Sequence, residues 1–174
     1  MSSAGLPESF DPTVAAREAF AWHGDVPVSD FKRLADLLVG TSGAVKVSLQ
    51  AAYSADRQPA MTLKLSAYLE QSCQRCLQPV TVVIDHEHTV AWVADEAALE
   101  RLDALEEDSD ADTVEYLPMP DPARVNTLAL VEDELMLSLP IVPMHADCAL
   151  PVPKTVAEDD HPFAALAQLK TLKH

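Results

Sequence analysis

Two thiols stand two residues apart in Cys73-Gln74-Arg75-Cys76, and the same spacing recurs far downstream in His145-Ala146-Asp147-Cys148. Thiolate sulfur and imidazole nitrogen are the donors that zinc takes, and two such pairs can close one tetrahedron. Cys73, Cys76, His145 and Cys148 are therefore the candidate metal ligands of a structural zinc site, one that would tie distant parts of the chain together. The plainer alternative makes the three cysteines small buried hydrophobes and His145 a loop histidine. A redox role for Cys73 and Cys76 lacks support, because nothing after the motif reads as the helix that would lower the first thiol's pKa.

The flanking pattern predicts what positions the first pair. Leu63, Leu65, Ala67 and Leu69 alternate before it, and Val80, Val82 and Ile84 after it, so the cysteines fall at the tip of a β-hairpin. Val45, Val47, Leu49, Ala51 and Tyr53 predict a preceding strand, with Ser54 to Pro59 as the turn between them. The strand after the tip runs from Val80 to Trp92, and Thr113 to Leu117 adds a short one. Asn126 can cap a helix reaching Leu139, on which Leu128, Val131, Leu135 and Leu139 recur at helical spacing. Pro140 stops that helix, and Ile141-Val142-Pro143 leads in extended form to His145; no local geometry makes the second pair meet the first.

The remaining elements follow similar logic. Asp11-Pro12 opens a short helix to about Arg17. Phe20 and Trp22 mark an edge strand ended by Gly24 and Pro27. Ser29 can cap a helix in which Phe31, Leu34, Leu37 and Leu38 share a face before Gly40. Residues 149–160 read as a linker, and 161–172 as a docking helix with Phe163, Leu166 and Leu169 together. The fold class is α+β, in one domain: a curved antiparallel β-meander of about three to five strands, covered by two main helices, with short helices at both ends.

Charge sets the class of partner. Lys and Arg total 12 against 28 Asp and Glu, a formal net charge of −16. Such a chain repels polyanions, so extensive direct nucleic-acid binding is not the default. The acid is concentrated in residues 95–115, an expected solvated loop containing Glu106, Glu107 and Asp108, and again in Glu132, Asp133 and Glu134. These six residues are the candidate surface for a basic protein partner. The competing surface is the outward strand face with Lys46, Lys64 and Tyr68, plus Arg75 at the tip, where stacking and a few phosphate contacts would serve direct RNA binding. A plain solvated strand face accounts for the same residues.

Catalytic signals are thin. His86 and His88 share one parity of the third strand with Ile84 and Trp92, as residues lining a sheet face do; ligation or catalysis is the alternative reading. Only 4 glycines are present, leaving little material for a nucleotide-binding turn, and no nucleophile elbow or phosphate loop is found. No catalytic residue is assigned. Three cysteines form no disulfide framework and suit a reducing compartment. Without a signal-like start or a membrane-length apolar run, the chain is expected in the cytoplasm and off the membrane. Its oligomeric state is not encoded legibly.

Three segments together carry a resemblance. Cys73-Gln-Arg-Cys76 with Pro79, Val131-Glu-Asp-Glu-Leu135 running into Leu139-Pro140-Ile-Val-Pro143, and His161-Pro-Phe-Ala-Ala-Leu166 resemble, in order and spacing, the YceD family. That family is named for accumulation of the large-subunit ribosomal RNA. The resemblance implies a non-enzymatic bacterial factor in ribosome biogenesis, supporting synthesis, processing or stability of 23S ribosomal RNA. Members from other groups often carry further cysteines after the Leu-Pro segment, where this chain has His145 and Cys148. Joined to the charge, the resemblance leads to a factor that holds a basic ribosome-associated protein and so acts on rRNA indirectly. A direct rRNA-binding module is the alternative, and a hydrolase a third reading without a motif behind it.

Overall fold

The computed structural model describes residues 5–106 and 114–151. Glu107, Asp108, most of the expected linker and the expected C-terminal helix lie outside the described residues.

The chain is α+β, built on a five-stranded sheet. Its strands are β2 (Ala21–Pro27), β3 (Ala44–Tyr53), β4 (Pro59–Ser72), β5 (Pro79–Val93) and β6 (Val114–Pro118), in that spatial order. The first four pair antiparallel with their sequence neighbours. A short ribbon pairs β1 (Ser9–Phe10) with β7 (Val125–Asn126), just ahead of helices α1 (Pro12–Arg17) and α4 (Thr127–Ser138). Both helices start as their caps dictate: the Asp11 carboxylate accepts from the backbone of Thr13 and Val14, and Asn126 Oδ1 from Ala129 N at 2.8 Å.

One face of the sheet carries the core. On β3 and β4 the alternating Val45, Val47, Leu49, Leu63, Leu65 and Leu69 are buried, while Lys46, Lys64 and Tyr68 face out. Phe31 and Leu34 pack into the same cluster, as do Val131 and Leu135 of α4. Sequestering these side chains is the main stabilising contribution, each worth about 1.5–3 kcal/mol.

Four expectations need correction. Gly24 does not end the edge strand, because β2 continues to Pro27. The Trp22 ring lies over Gly24 so closely that a Cβ there would approach it to 2.8 Å. The helix expected after Ser29 is reduced to a 3-10 turn (Val28–Asp30) and one turn of α2 (Lys32–Ala35), with no side-chain cap from its own N-cap residue. The acceptor comes instead from α4: Glu132 Oε1 takes the backbone N–H of Arg33 at 2.7 Å and of Leu34 at 3.2 Å. Residues 95–115 are not simply a loop. Glu96–Glu106 forms helix α3, since the stretch holds good helix formers and Asp95 Oδ1 accepts from Ala98 N at 2.7 Å. Ala98 and Leu99 pack against Ala60, Ala91, Val93 and Tyr116. Finally, β6 runs parallel to β5, from Thr89↔Val114 to Val93↔Pro118. The α3 crossover makes this possible, because a parallel neighbour needs a connection long enough to return to the starting end.

No helix among the described residues is long and apolar enough to cross a membrane.

Candidate metal centre

The hairpin tip is a six-residue turn between Ser72 and Pro79, the last paired residues of β4 and β5. Cys73 N donates to Gln78 O and Leu77 N to Cys73 O, both at 2.9 Å, and Leu77 takes a left-handed φ of 61° to close the turn. A tightly wound knuckle of this kind aims both thiols to one side. The second pair arrives on the segment after α4. Gln74 N donates to Pro143 O at 2.9 Å, and Arg75 Nη1 donates to Cys148 O at 3.1 Å, so the tip grips that segment on both sides of His145.

All four predicted ligands meet: their donor atoms lie within 4.8 Å of one another. Cys73 Sγ is 3.7 Å from Cys148 Sγ, and Cys76 Sγ is 3.4 Å from His145 Nδ1. Zinc bonds of about 2.3 Å to sulfur and 2.0–2.1 Å to nitrogen give tetrahedral edges of about 3.8 Å and 3.6 Å, so these separations are those of a coordination shell. The histidine tautomer agrees. His145 Nε2 lies 3.0 Å from the Pro79 carbonyl, which can only accept, so Nε2 carries the proton and Nδ1 presents its lone pair to the thiols.

The electrostatics run the same way. Burial pushes the Cys73 thiol up, but backbone N–H groups of Cys76, His145 and Arg75 outweigh it and bring the thiol down to about 5. Cys148 is raised by burial and by its neighbours Cys73 and Cys76. One thiolate is thus favoured and the next is resisted; a divalent cation removes that resistance and lets all three sulfurs ionise. Bound there, zinc would supply a cross-link between the hairpin tip and the segment following α4.

The acidic candidates divide. Glu106 closes α3, and Asp133 is half exposed, with Arg33 Nη1 donating to it at 2.6 Å. Glu132 and Glu134, expected on a partner-facing surface, are instead buried. Glu132 caps α2 and also accepts from Arg33 Nε at 2.8 Å. Arg33 and the N–H groups of residues 33 and 34 hold its carboxyl below the usual range against the opposing effect of burial. Glu134 turns to the sheet, where His88 Nδ1 lies 2.9 Å and His86 Nε2 3.4 Å from its Oε2. The two histidines were legible as one parity of β5, but nothing in the Glu132-Asp133-Glu134 run marks which carboxylate meets them.

The candidate RNA face is chemically mixed. Lys64 pairs with Glu87 at 3.0 Å, and Arg75 is engaged with the metal-centre segment. An open groove of about 370 Å³ near Lys46 and Lys64 is also lined by Asp25 and Asp85. Alternating charge of this kind is a poor phosphate track. Tyr68 stands exposed beyond it.

Comparison with known proteins agrees with the motif order. The chain is similar, at 28% identity over 180 residues, to the large ribosomal RNA subunit accumulation protein YceD of Haemophilus influenzae, with 98% of this chain and 99% of that protein covered. No solved structure matches. Residues 61–170, which include the four candidate thiol and imidazole ligands and α4, match the model of the family described as large ribosomal RNA subunit accumulation protein YceD. The chain belongs to the YceD family.

Proposed function

We propose that this chain is a non-enzymatic factor on which accumulation of the large-subunit (23S) ribosomal RNA depends, and that it works in the cytoplasm by holding a basic ribosome-associated protein. The reading is carried by similarity, along nearly its whole length, to a protein named for that role. The net charge of −16 favours a basic protein over RNA as the direct partner. With Glu132 and Glu134 spent internally, the contact falls on residues 95–115, including Glu106, Glu107 and Asp108, with Asp133 as the accessible acid of α4. Zinc at Cys73, Cys76, His145 and Cys148 fixes the hairpin tip and has no part in a reaction.

Capture of the tagged protein from lysate at modest salt, with and without ribonuclease, tests this. One basic protein should survive ribonuclease and be lost when Glu106, Glu107 and Asp108 are reversed to lysine. Loss of every partner together with the RNA would overturn it in favour of direct contact through Lys46, Lys64, Tyr68 and Arg75.

A further inference from the structure

We propose that His86, His88 and Glu134 form a second metal site, taking a divalent transition ion on two imidazoles and one carboxylate. The three donor atoms lie within 4.8 Å of one another. Their positions are set by rigid elements: His86 and His88 are two apart on β5 and project from the same face, and Glu134 comes down from α4. The site is separate from the thiol centre. His86 is seven positions along β5 from Pro79 at the tip, about 23 Å of strand.

The buried carboxylate of the cluster is hydrogen-bonded by the two imidazoles but has no fixed cation beside it. Glu134 is buried, and no lysine or arginine among the described residues reaches its carboxylate, in contrast to Glu132 with Arg33. His88 stands between two carboxylates, with Nδ1 at 2.9 Å from Glu134 and Nε2 at 3.9 Å from Glu115. A neutral imidazole has one N–H, so His88 can donate to only one of the two carboxylates. A metal on Nδ1 would supply the positive charge that Glu134 lacks. Nδ1 then donates its lone pair to the ion, Glu134 Oε2 becomes a ligand beside it, and the Nε2 proton is left on the side of Glu115, 3.9 Å away.

The donors define the ligand. Two imidazoles and a carboxylate suit zinc, cobalt, nickel or copper and disfavour magnesium and calcium. His86 is 32% exposed in its side chain, which leaves a route of entry and room for water on the unfilled positions.

The full chain, its thiol centre first filled with zinc, should be titrated with Co²⁺ and followed by absorption and calorimetry. A further equivalent should bind with weak visible bands and without the near-ultraviolet sulfur-to-cobalt bands of a thiolate site. His86→Ala, His88→Ala and Glu134→Gln should each weaken that step at least about tenfold, while Glu132→Gln leaves it alone. Far-ultraviolet circular dichroism and retained zinc at the thiol centre establish that the variants are folded. Should His88→Ala fail to fold, His86→Ala, at the more exposed ring, gives the same reading. A native chain that binds no further cobalt, or a step that survives in the histidine variants, would overturn the site.

Discussion

The thiol cluster at the hairpin tip and the imidazole–carboxylate cluster midway along β5 are built from the same two parts of the molecule. Each takes two ligands from the β4–β5 hairpin and the rest from α4 or the segment that follows it. They differ in how the protein prepares them. At the tip, backbone N–H groups lower Cys73 and the Pro79 carbonyl fixes the His145 tautomer, so the loops have already arranged the donors. Along β5 the secondary structure alone provides the arrangement, through strand parity and one helical residue. Loops can tune a ligand's charge state, whereas strands and helices mainly fix its position.

The sharpest way to break this comparison is at the tip. Cys73→Ser should lose the zinc of the thiol centre and cost about 4 kcal/mol at a thousandfold excess of free zinc over Kd, lowering Tm by about 8–16 °C. Metal analysis and calorimetry measure both, and an unchanged metal content would show that the four ligands do not act together. The β5 cluster should keep its cobalt in the same variant.

Glu132 is the internal control, a buried carboxylate two residues from Glu134 that already has a cation and two backbone donors. Glu132→Gln should cost about 1–3 kcal/mol, because it weakens charged hydrogen bonds to Arg33 and to the buried Leu34 N–H, without altering metal binding at either cluster. Its effect should also depend on pH. Because Glu132 titrates lower in the folded chain than in the unfolded one, its stabilisation is complete above about pH 4.3 and is lost as pH falls through the folded value. Denaturant melts of native and Glu132→Gln protein should therefore converge in acid, and a gap that stays constant would show that the charge contributes nothing.

A smaller effect probes the loops alone. Arg75→Ala removes one hydrogen bond to the Cys148 carbonyl and should cost about 0.5–1.5 kcal/mol, with zinc stoichiometry unchanged. Loss of zinc in that variant would make Arg75 part of the centre's construction rather than its fastening.

Sequence made the tip legible because the signals there are local: each ligand pair is two residues apart, the strands alternate cleanly, and Asn126 sits at its cap. The paired elements β3, β4, β5 and α4 follow from the same short-range rules. What sequence hid was decided by distant partners. The cap of α2 is supplied from 98 and 99 positions away, the parallel return of β6 depends on α3 crossing over, and α3 itself lay under an acidic composition that suggested a loop. Glu134 looked like its two neighbours until the sheet was placed beneath α4, since three consecutive helical residues point in three directions and only the fold says which is inside.

The 69 positions separating Cys76 from His145 also impose an order in time. Synthesis at about 5–20 residues per second would produce the first pair of thiols roughly 3–14 s before the second pair exists. For that interval the nascent hairpin tip is a bare dithiol, able to take up an oxidant or a foreign soft metal. Completion of the thiol centre is thus a late event, one that reports that the chain has been made at least as far as Cys148.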